Sequence, residues 1–213
     1  MDKSKKKVSD RYDSWTPFYD LVDRFPLISK PQRKWKRNAV KYLEIKEGDR
    51  VLDVGTGTGQ ILPWIADQMS SGELVATDIS GSMLARARKK IENISEIDVS
   101  LINDDIENSR FSDDRFDKII TTFTLTTVPD FERAMSECAR ILDPEGHMIV
   151  LDTGSPKNPY ALPLFYPMMF SAKVFGRTHM DRNIKSELSQ HFRVNMLEEN
   201  LLGMVYTVKC IPL

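Results

Sequence analysis

The strongest constraint on the fold of this chain is a short apolar run that ends in three glycines. Residues 51–54 have the length and composition of a buried strand, and Gly55, Gly57 and Gly59 follow at alternate positions. Glycine is needed where the backbone turns with positive φ or comes into contact with a ligand. A segment with helical spacing comes next, and the amino terminus of a helix offers N–H groups to an anion. We therefore predict a strand, a ligand-binding loop and a helix in succession.

The rest of the chain alternates apolar runs of strand length with segments of helical spacing, which is typical of a doubly wound parallel sheet. The clearest helix covers residues 131–142, with Asp130 placed to cap its start and Pro144 with Gly146 placed to stop it. Another helix carries Ile61 and Met69 on its apolar face. The other predicted elements are a helix over 82–91 and strands over 74–77, 99–102, 118–123 and 148–151.

The last two strand-like runs, residues 192–197 and 204–211, are joined by only a few residues around Gly203. So short a link cannot hold a crossover helix, and the pair is therefore expected to be antiparallel. The predicted fold class is α/β, with a Rossmann-like, doubly wound, mostly parallel seven-stranded sheet and a C-terminal antiparallel hairpin.

Composition restricts the partners of such a fold. The formal net charge of -1 lacks the basic balance of nucleic-acid-binding proteins, so no nucleic-acid partner is expected. No apolar run reaches ~20 residues, and the N-terminus lacks the pattern of a signal peptide, which indicates a cytoplasmic protein. A basic run at residues 3–7 leaves peripheral contact with an anionic membrane as an alternative.

The cysteines and histidines offer little catalytic chemistry. Cys138 and Cys210 stand far apart and are expected to be buried, reduced thiols. His147 is expected in a surface turn and His191 in a structural role, whereas His179 is the one histidine with a catalytic hypothesis. No His, Cys and carboxylate cluster has the spacing of metal ligands, so no metal is predicted.

The spacing of the glycines separates two classes of cofactor. The dinucleotide fingerprint G-x-G-x-x-G would need glycine or alanine at position 60, which is Gln60 here. The spacing is G-x-G-x-G instead, and Asp53 stands two residues before the first glycine. This arrangement resembles motif I of the class I S-adenosyl-L-methionine (SAM)-dependent methyltransferases. The resemblance implies SAM as the cofactor, and a NAD(P)-binding dehydrogenase is the alternative from another class.

The resemblance extends over residues 11–152 and is closest to two subfamilies, the ubiquinone/menaquinone-biosynthesis C-methyltransferases and the bacterial-type phosphatidylethanolamine N-methyltransferases. Residues 11–20 are similar to the lid segment of the phospholipid enzymes. Residues 124–127 depart from the glycine and Arg-Asn pair that is typical of the quinone subfamily, and the run 126–130 looks more like the phospholipid enzymes. The features shared with both subfamilies are Asp78-Ile79-Ser80 before Met83-Leu84, and Phe116-Asp117 before Val128-Pro129-Asp130.

The resemblance also implies which residues contact the cofactor. Asp53 would hold the amino group of SAM, Asp78 its ribose hydroxyls, and Asp105, rather than Asp104, the adenine amine. Tyr19 would close over the cofactor from the N-terminal segment. The other implied contacts are Gly55, Thr56, Gly57, Gly59, Ile79, Met83, Ile106, Phe123 and Thr124.

The resemblance further implies a basic tail and helical lid over residues 1–45 and a SAM-binding domain over 46–213, in a single folding unit. Residues 154–190 would form an acceptor-covering insertion, and their apolar part, 160–170, is typical either of a lid helix or of a pocket for a lipophilic molecule. We therefore expect an enzyme that methylates a small, lipophilic acceptor, either a phospholipid headgroup amine or a quinone-like molecule. A methyltransferase for a polar metabolite and a non-catalytic SAM-binding protein are the alternatives.

Overall fold

The computed structural model describes residues 26–154 and 184–213. The chain forms two compact units, Met1–Asp105 and Ile106–Leu213. Across the described residues, seven strands make up a mostly parallel sheet whose antiparallel strands lie near the C-terminus, which confirms the predicted fold class. The predicted limits of the lid segment, the SAM-binding domain and the insertion stay a prediction.

The first unit alternates helices and strands. In chain order these are α1 (Pro26–Lys41), β1 (Arg50–Val54), α2 (Leu62–Ala66), β2 (Glu73–Asp78), α3 (Gly81–Ile91) and β3 (Asp98–Asn103). The three strands are parallel and lie in the order β3-β2-β1. Because parallel strands have their carboxyl ends at the same edge, the loops after β1, β2 and β3 meet there, where open α/β sheets bind ligands.

The helices of the first unit cover a core formed by the strands. Leu52 and Leu74 are fully buried, and Ile61 and Met69 are also buried although α2 covers only the middle of the predicted helix. The start of α3 is capped by Ser80, whose Oγ accepts a 3.2 Å hydrogen bond from the backbone N–H three residues later. Such a cap stabilises a helix by about 1 kcal/mol.

The second unit contains four strands and two α-helices among its described residues. In chain order these are β4 (Phe116–Thr122), α4 (Phe131–Ile141), β5 (Leu142–Thr153), α5 (Ile184–Leu188), β6 (Phe192–Asn200) and β7 (Val205–Pro212). β4 and β5 are parallel, whereas β7 pairs antiparallel with both β5 and β6. The predicted C-terminal antiparallel pair is therefore confirmed.

Helix α4 has the N-terminal cap expected of it and one buried face. Oδ1 of Asp130 accepts a 3.1 Å hydrogen bond from the backbone N–H of Arg133. Ala139 is half-buried. The fully buried positions are Phe131, Ala134, Met135, Cys138 and Ile141.

The start of β5 differs from the prediction. The strand begins at Leu142, directly after α4, so Pro144 and Gly146 lie inside an irregular part of the strand rather than in a separate turn. A Cβ atom added to Gly146 would lie 2.6 Å from the carbonyl oxygen of Asp117, which shows how closely the two backbones approach. As a result His147 is buried at 6% exposure, and its expected surface position was wrong.

Candidate functional site

The glycine loop after β1 turns as the sequence predicts. Gly55, Gly57 and Gly59 have φ angles of 68°, 55° and 73°, a region that side-chain-bearing residues rarely adopt. The backbone N–H of Thr56 donates to the carbonyl oxygen of Thr77 at 2.9 Å, which ties the loop to the end of β2. The loop is thus fixed at the edge where the three strands of this unit end.

Asp78, the last residue of β2, holds the loop with its carboxylate. Its Oδ2 accepts a 2.8 Å hydrogen bond from the backbone N–H of Gly57, and its Oδ1 accepts one of the same length from the N–H of Ser80. The side chain is only partly buried. A carboxylate at this position is also a suitable acceptor for the hydroxyl groups of a ligand.

Asp53 is the most unusual polar group of this unit. It is 1% exposed, and within the described residues neither carboxylate oxygen has a hydrogen-bond partner. Burial raises its pKa to about 7, against the opposing effects of the nearby Thr56 side chain and of Lys36. Since a buried carboxylate without a partner is costly, this geometry points to a cationic or hydrogen-bond-donating ligand group.

Helix α1 also reaches the glycine loop. Nζ of Lys36 donates a 2.8 Å hydrogen bond to Oε1 of Gln60, the residue that departs from the dinucleotide fingerprint. The positive charge of Lys36 also favours the ionised form of Asp53. The sequence offered no signal for this role, because lysines are frequent throughout α1.

The glycines differ in what surrounds them. A Cβ added to Gly59 would lie 2.8 Å from Cβ of Ala87 on α3, so this glycine lets helix and loop pack closely. A Cβ added to Gly57 would meet no described atom within 4 Å, so this part of the loop faces open space. Of the two predicted contacts on the next loop, Ile79 is half-buried, whereas Met83 is buried at 3% exposure in the core.

The loop after β3 brings two further acidic residues to the same edge of the first unit. The backbone N–H of Asp104 donates to the carbonyl oxygen of Asp78 at 3.3 Å, and Nδ2 of Asn103 donates to that oxygen at 2.9 Å. Asp105 follows and is half-buried. The structure thus places Asp53 near the end of β1, Asp78 at the end of β2 and Asp105 shortly after β3.

In the second unit, Phe123 and Thr124 follow β4. Phe123 has a positive φ of 57° and donates its backbone N–H to the carbonyl oxygen of Leu151 at 2.7 Å. Thr124 precedes a 3-10 helix, Leu125–Thr127. Both side chains are half-buried, and so is Ile106, the predicted contact at the start of this unit.

Asp152, near the end of β5, anchors this turn and was not singled out from the sequence. It is fully buried, and its carboxylate accepts hydrogen bonds from the N–H groups of Leu125 (2.8 Å) and Thr153 (2.7 Å). The Thr126 hydroxyl donates a third hydrogen bond, at 3.0 Å, and burial raises the pKa of Asp152 to about 6. The available signal was the position of this acid at the carboxyl end of a predicted parallel strand, which Asp53 and Asp78 share.

Several predicted residues lie elsewhere. Tyr19, His179 and the apolar run 160–170 are outside the described residues. His191 contacts Oε1 of Glu132 through Nε2 at 2.8 Å, in keeping with its expected structural role. Cys138 and Cys210 are buried as expected. Within the residues that the structure describes, no group of His, Cys, Asp and Glu could hold a metal ion, and no helix has the length and apolar character to cross a bilayer.

Comparison with known families decides between the cofactor classes. Residues 1–180 match the model of the ubiE/COQ5 methyltransferase family. The chain belongs to the ubiE/COQ5 methyltransferase family. The predicted resemblance is therefore confirmed, and membership of a methyltransferase family removes the support for a NAD(P)-binding dehydrogenase.

Curated relatives resemble the chain over much of its length. It is 30% identical to a demethylmenaquinone methyltransferase of Bacteroides fragilis over 72% of the chain and 63% of that protein. It is 34% identical to the ubiquinone/menaquinone biosynthesis C-methyltransferase UbiE of Geobacter sulfurreducens over 72% of the chain and 60% of that protein. The matched segments thus span less than two thirds of either relative. Both relatives are named as quinone enzymes, whereas the run 126–130 favoured the phospholipid enzymes.

The fold agrees with the ubiE/COQ5 assignment. The crystal structure of a SAM-dependent methyltransferase from Aquifex aeolicus superposes with a TM-score of 0.62, covers all of both chains and is 19% identical. At so low an identity the likeness shows the fold alone. Together with the strand pairing, it places the chain among the Rossmann-like methyltransferase folds.

Proposed function

We propose that this protein is a SAM-dependent methyltransferase that acts on a small, lipophilic, quinone-type acceptor. The observation that carries the proposal is the match of residues 1–180 to the ubiE/COQ5 methyltransferase family. The named relatives methylate quinone precursors or act in quinone biosynthesis, as their names state. The matched segments span 63% and 60% of those relatives, so the activity and the acceptor are part of the proposal.

The first unit has the groups that SAM would require. The buried Asp53 carboxylate, which has no hydrogen-bond partner among the described residues, would hold the cationic amino group. The Asp78 carboxylate, which fixes the backbone of Gly57, would accept hydrogen bonds from the ribose hydroxyls. The open space at Gly57 would accommodate the methionine portion of the cofactor. Asp105 and Ile79 would contact the adenine.

SAM supplies a methyl group that is already activated by a sulfonium centre. The main task of the protein is therefore to align the acceptor atom with that methyl group and to exclude water. We assign this task to Phe123 and Thr124, whose backbone is fixed by Leu151 and by the turn that Asp152 anchors.

Methylation of a ring carbon also requires that a proton leave the acceptor, and the base must lie within hydrogen-bond reach. Asp152 is fully buried and already accepts hydrogen bonds from three residues, so we assign it to positioning rather than to proton transfer. His179, in the predicted acceptor-covering insertion, is the candidate base. A lipophilic acceptor is dissolved in a bilayer, so we also propose peripheral contact of this enzyme with the membrane.

The decisive experiment supplies the purified protein with SAM labelled on its methyl group and with two acceptors in detergent, reduced demethylmenaquinone and phosphatidylethanolamine. We expect label on the ring carbon of the quinone product, identified by mass spectrometry. Asp78→Ala should lose the reaction, and Asp98→Asn, an exposed acid at the opposite end of the β3 strand, should retain it. Label on the headgroup amine would show that phosphatidylethanolamine, and not the quinone, is the acceptor. Failure to bind SAM would refute the proposal.

A further inference from the structure

Helix α1 carries a basic stripe on one face. Five side chains of this helix are exposed and positively charged, and they occupy positions i, i+3, i+4, i+7 and i+11. At 100° per residue these positions fall within an arc of about 100°. We call them the α1 stripe: Lys30, Arg33, Lys34, Arg37 and Lys41.

The α1 stripe has no counter-charge on its own helix. Pro26–Lys41 contains no Asp or Glu, and Trp35 and Ala39, which lie on the opposite face, are buried in the first unit. Among the described residues, no acidic side chain forms an ion pair with any member of the stripe. Like charges at i and i+4 destabilise a helix, so the arrangement lowers helix stability and calls for a compensating partner.

An aromatic ring adjoins the stripe. The guanidinium groups of Arg33 and Arg37 lie 5.9 Å and 4.9 Å from the ring centre of Trp64, which is partly exposed. Cation–π contact holds both arginines without neutralising their charge. A tryptophan beside basic residues is a combination that is enriched where proteins meet the headgroup region of a bilayer.

We propose that the α1 stripe docks the protein on the anionic surface of a lipid bilayer. The inference rests on the proposed function, because a lipophilic quinone-type acceptor must be taken from a membrane. The stripe is a straight row about 16 Å long, and a flat anionic surface can meet all its charges at once. With a net charge of -1, the chain has no general attraction for anions, so the effect depends on this local row of charges.

The α1 stripe is also joined to the cofactor loop. Lys36, on the side of the same helix, donates to Gln60 at the end of the glycine loop. Docking through α1 would therefore bring the glycine loop of this unit close to the bilayer. This position suits an enzyme whose acceptor lies in the lipid and whose cofactor arrives from water.

The test measures co-sedimentation of the full chain with vesicles of phosphatidylcholine alone or mixed with phosphatidylglycerol. We expect binding only to the mixed vesicles, and release at high salt because the attraction is screened. The variant K30Q/K34Q/K41Q removes three charges of the stripe and leaves both arginines on Trp64. Its partition onto mixed vesicles should fall on the order of 100-fold, since each Lys or Arg near such a surface contributes about 1 kcal/mol.

Two further variants separate docking from general charge or folding effects. R88Q/K89Q/R193Q removes the same charge from exposed positions outside α1 and should partition like the unmodified chain. K30R/K34R/K41R keeps the charge and should also bind. Three outcomes would overturn the proposal. The two glutamine variants could lose vesicle binding equally, or K30Q/K34Q/K41Q could bind as well as the unmodified chain. The unmodified chain could also bind a single-stranded oligonucleotide more tightly than mixed vesicles.

Methyl transfer to a short-chain acceptor dispersed in detergent distinguishes the two proposals. K30Q/K34Q/K41Q should retain this activity while it loses vesicle binding. If the unmodified chain binds mixed vesicles through the stripe but transfers no methyl group, the proposed function fails and docking stands. If it transfers the methyl group without binding the vesicles, docking fails and the proposed function stands.

Discussion

The backbone N–H of Gly57 donates a 2.8 Å hydrogen bond to Oδ2 of Asp78, a residue 21 positions further along the chain. The other carboxylate oxygen accepts from the N–H of Ser80, and the Ser80 hydroxyl in turn caps helix α3. One side chain therefore fixes both the middle of the glycine loop and the approach to the next helix. The same carboxylate is the proposed partner of the ribose hydroxyls, so loop geometry and cofactor binding depend on one group.

Replacement of Asp78 should therefore affect cofactor affinity strongly. Asparagine has a single acceptor oxygen, so Asp78→Asn leaves either Gly57 or Ser80 with an N–H facing an amide NH₂ group. We expect the dissociation constant for S-adenosylhomocysteine, measured by calorimetry, to rise about 100-fold, because hydrogen bonds to charged groups contribute about 1.5–3 kcal/mol each. Asp98→Asn is the matched control, and an equal loss in that variant would contradict this account.

Two glycines of the loop should respond differently to alanine. Gly59→Ala forces a side chain into positive φ and places its Cβ 2.8 Å from Ala87, so we expect a loss of about 2–4 kcal/mol in the free energy of unfolding. The Cβ atom of Gly57→Ala meets open space, so this variant should lose only about 1 kcal/mol in the free energy of unfolding. Urea denaturation measures both effects.

Cofactor affinity provides the second measurement on the same pair. Because Gly57 faces the open space proposed for the methionine portion, Gly57→Ala should weaken S-adenosylhomocysteine binding while most of the stability is retained. If Gly57→Ala binds the ligand normally, the cofactor does not contact the loop at that glycine.

The strands could be predicted because apolar runs of the right length alternate with helical spacing. Apart from β5, each observed strand lies within three residues of its predicted limits. The unusual backbone of the glycine loop could also be predicted, since only glycine adopts such φ angles readily. The contact between Gly57 and Asp78 could not, because it depends on how β1 and β2 pair in space.

The error at His147 has a similar origin. Pro144 and Gly146 are typical of a turn, and a histidine beside them was expected at the surface. In the structure β5 continues through this region, and His147 pairs in register with Lys118 of β4, with 3.2 Å between Nδ1 and Nζ. Local composition cannot reveal an irregular strand pairing whose cause is the close approach of Gly146 to Asp117.

The buried Asp53 should make stability depend on pH. Its pKa is raised from 3.8 to about 7 in the folded protein, so ionisation favours the unfolded chain and stability falls as pH rises through that interval. Above pH 7 the free energy of unfolding should be lower by up to about 4 kcal/mol. Asp53→Asn should thus unfold like the unmodified protein near pH 4 and be more stable near pH 8, which urea denaturation at both pH values measures. A constant difference at all pH values would contradict the burial effect.

Cofactor binding should depend on pH in the opposite sense. The ionised form of Asp53 is the one that would bind a cationic amino group, and protonation below about pH 7 removes it. Affinity for S-adenosylhomocysteine should therefore rise by up to about 20-fold between about pH 5.5 and pH 7.5. At the lower pH, binding of the ligand should release the proton of Asp53. Calorimetry in buffers of different ionisation enthalpy measures both quantities. Asp53→Asn should bind weakly and without this pH dependence.

Asp152 should influence catalysis through the turn that it anchors. Asp152→Ala removes the acceptor of the Leu125 and Thr153 N–H groups and of the Thr126 hydroxyl, and buried donors without a partner cost about 1–3 kcal/mol each. Because this turn follows the proposed methyl-transfer residues, kcat should fall about 10-fold or more while the affinity for S-adenosylhomocysteine, held by the first unit, changes little. Asp152→Asn, which retains one acceptor, should restore part of kcat, and the exposed Asp114→Asn should leave it unchanged. A parallel loss of kcat and cofactor affinity in Asp152→Ala would instead indicate general unfolding of the protein.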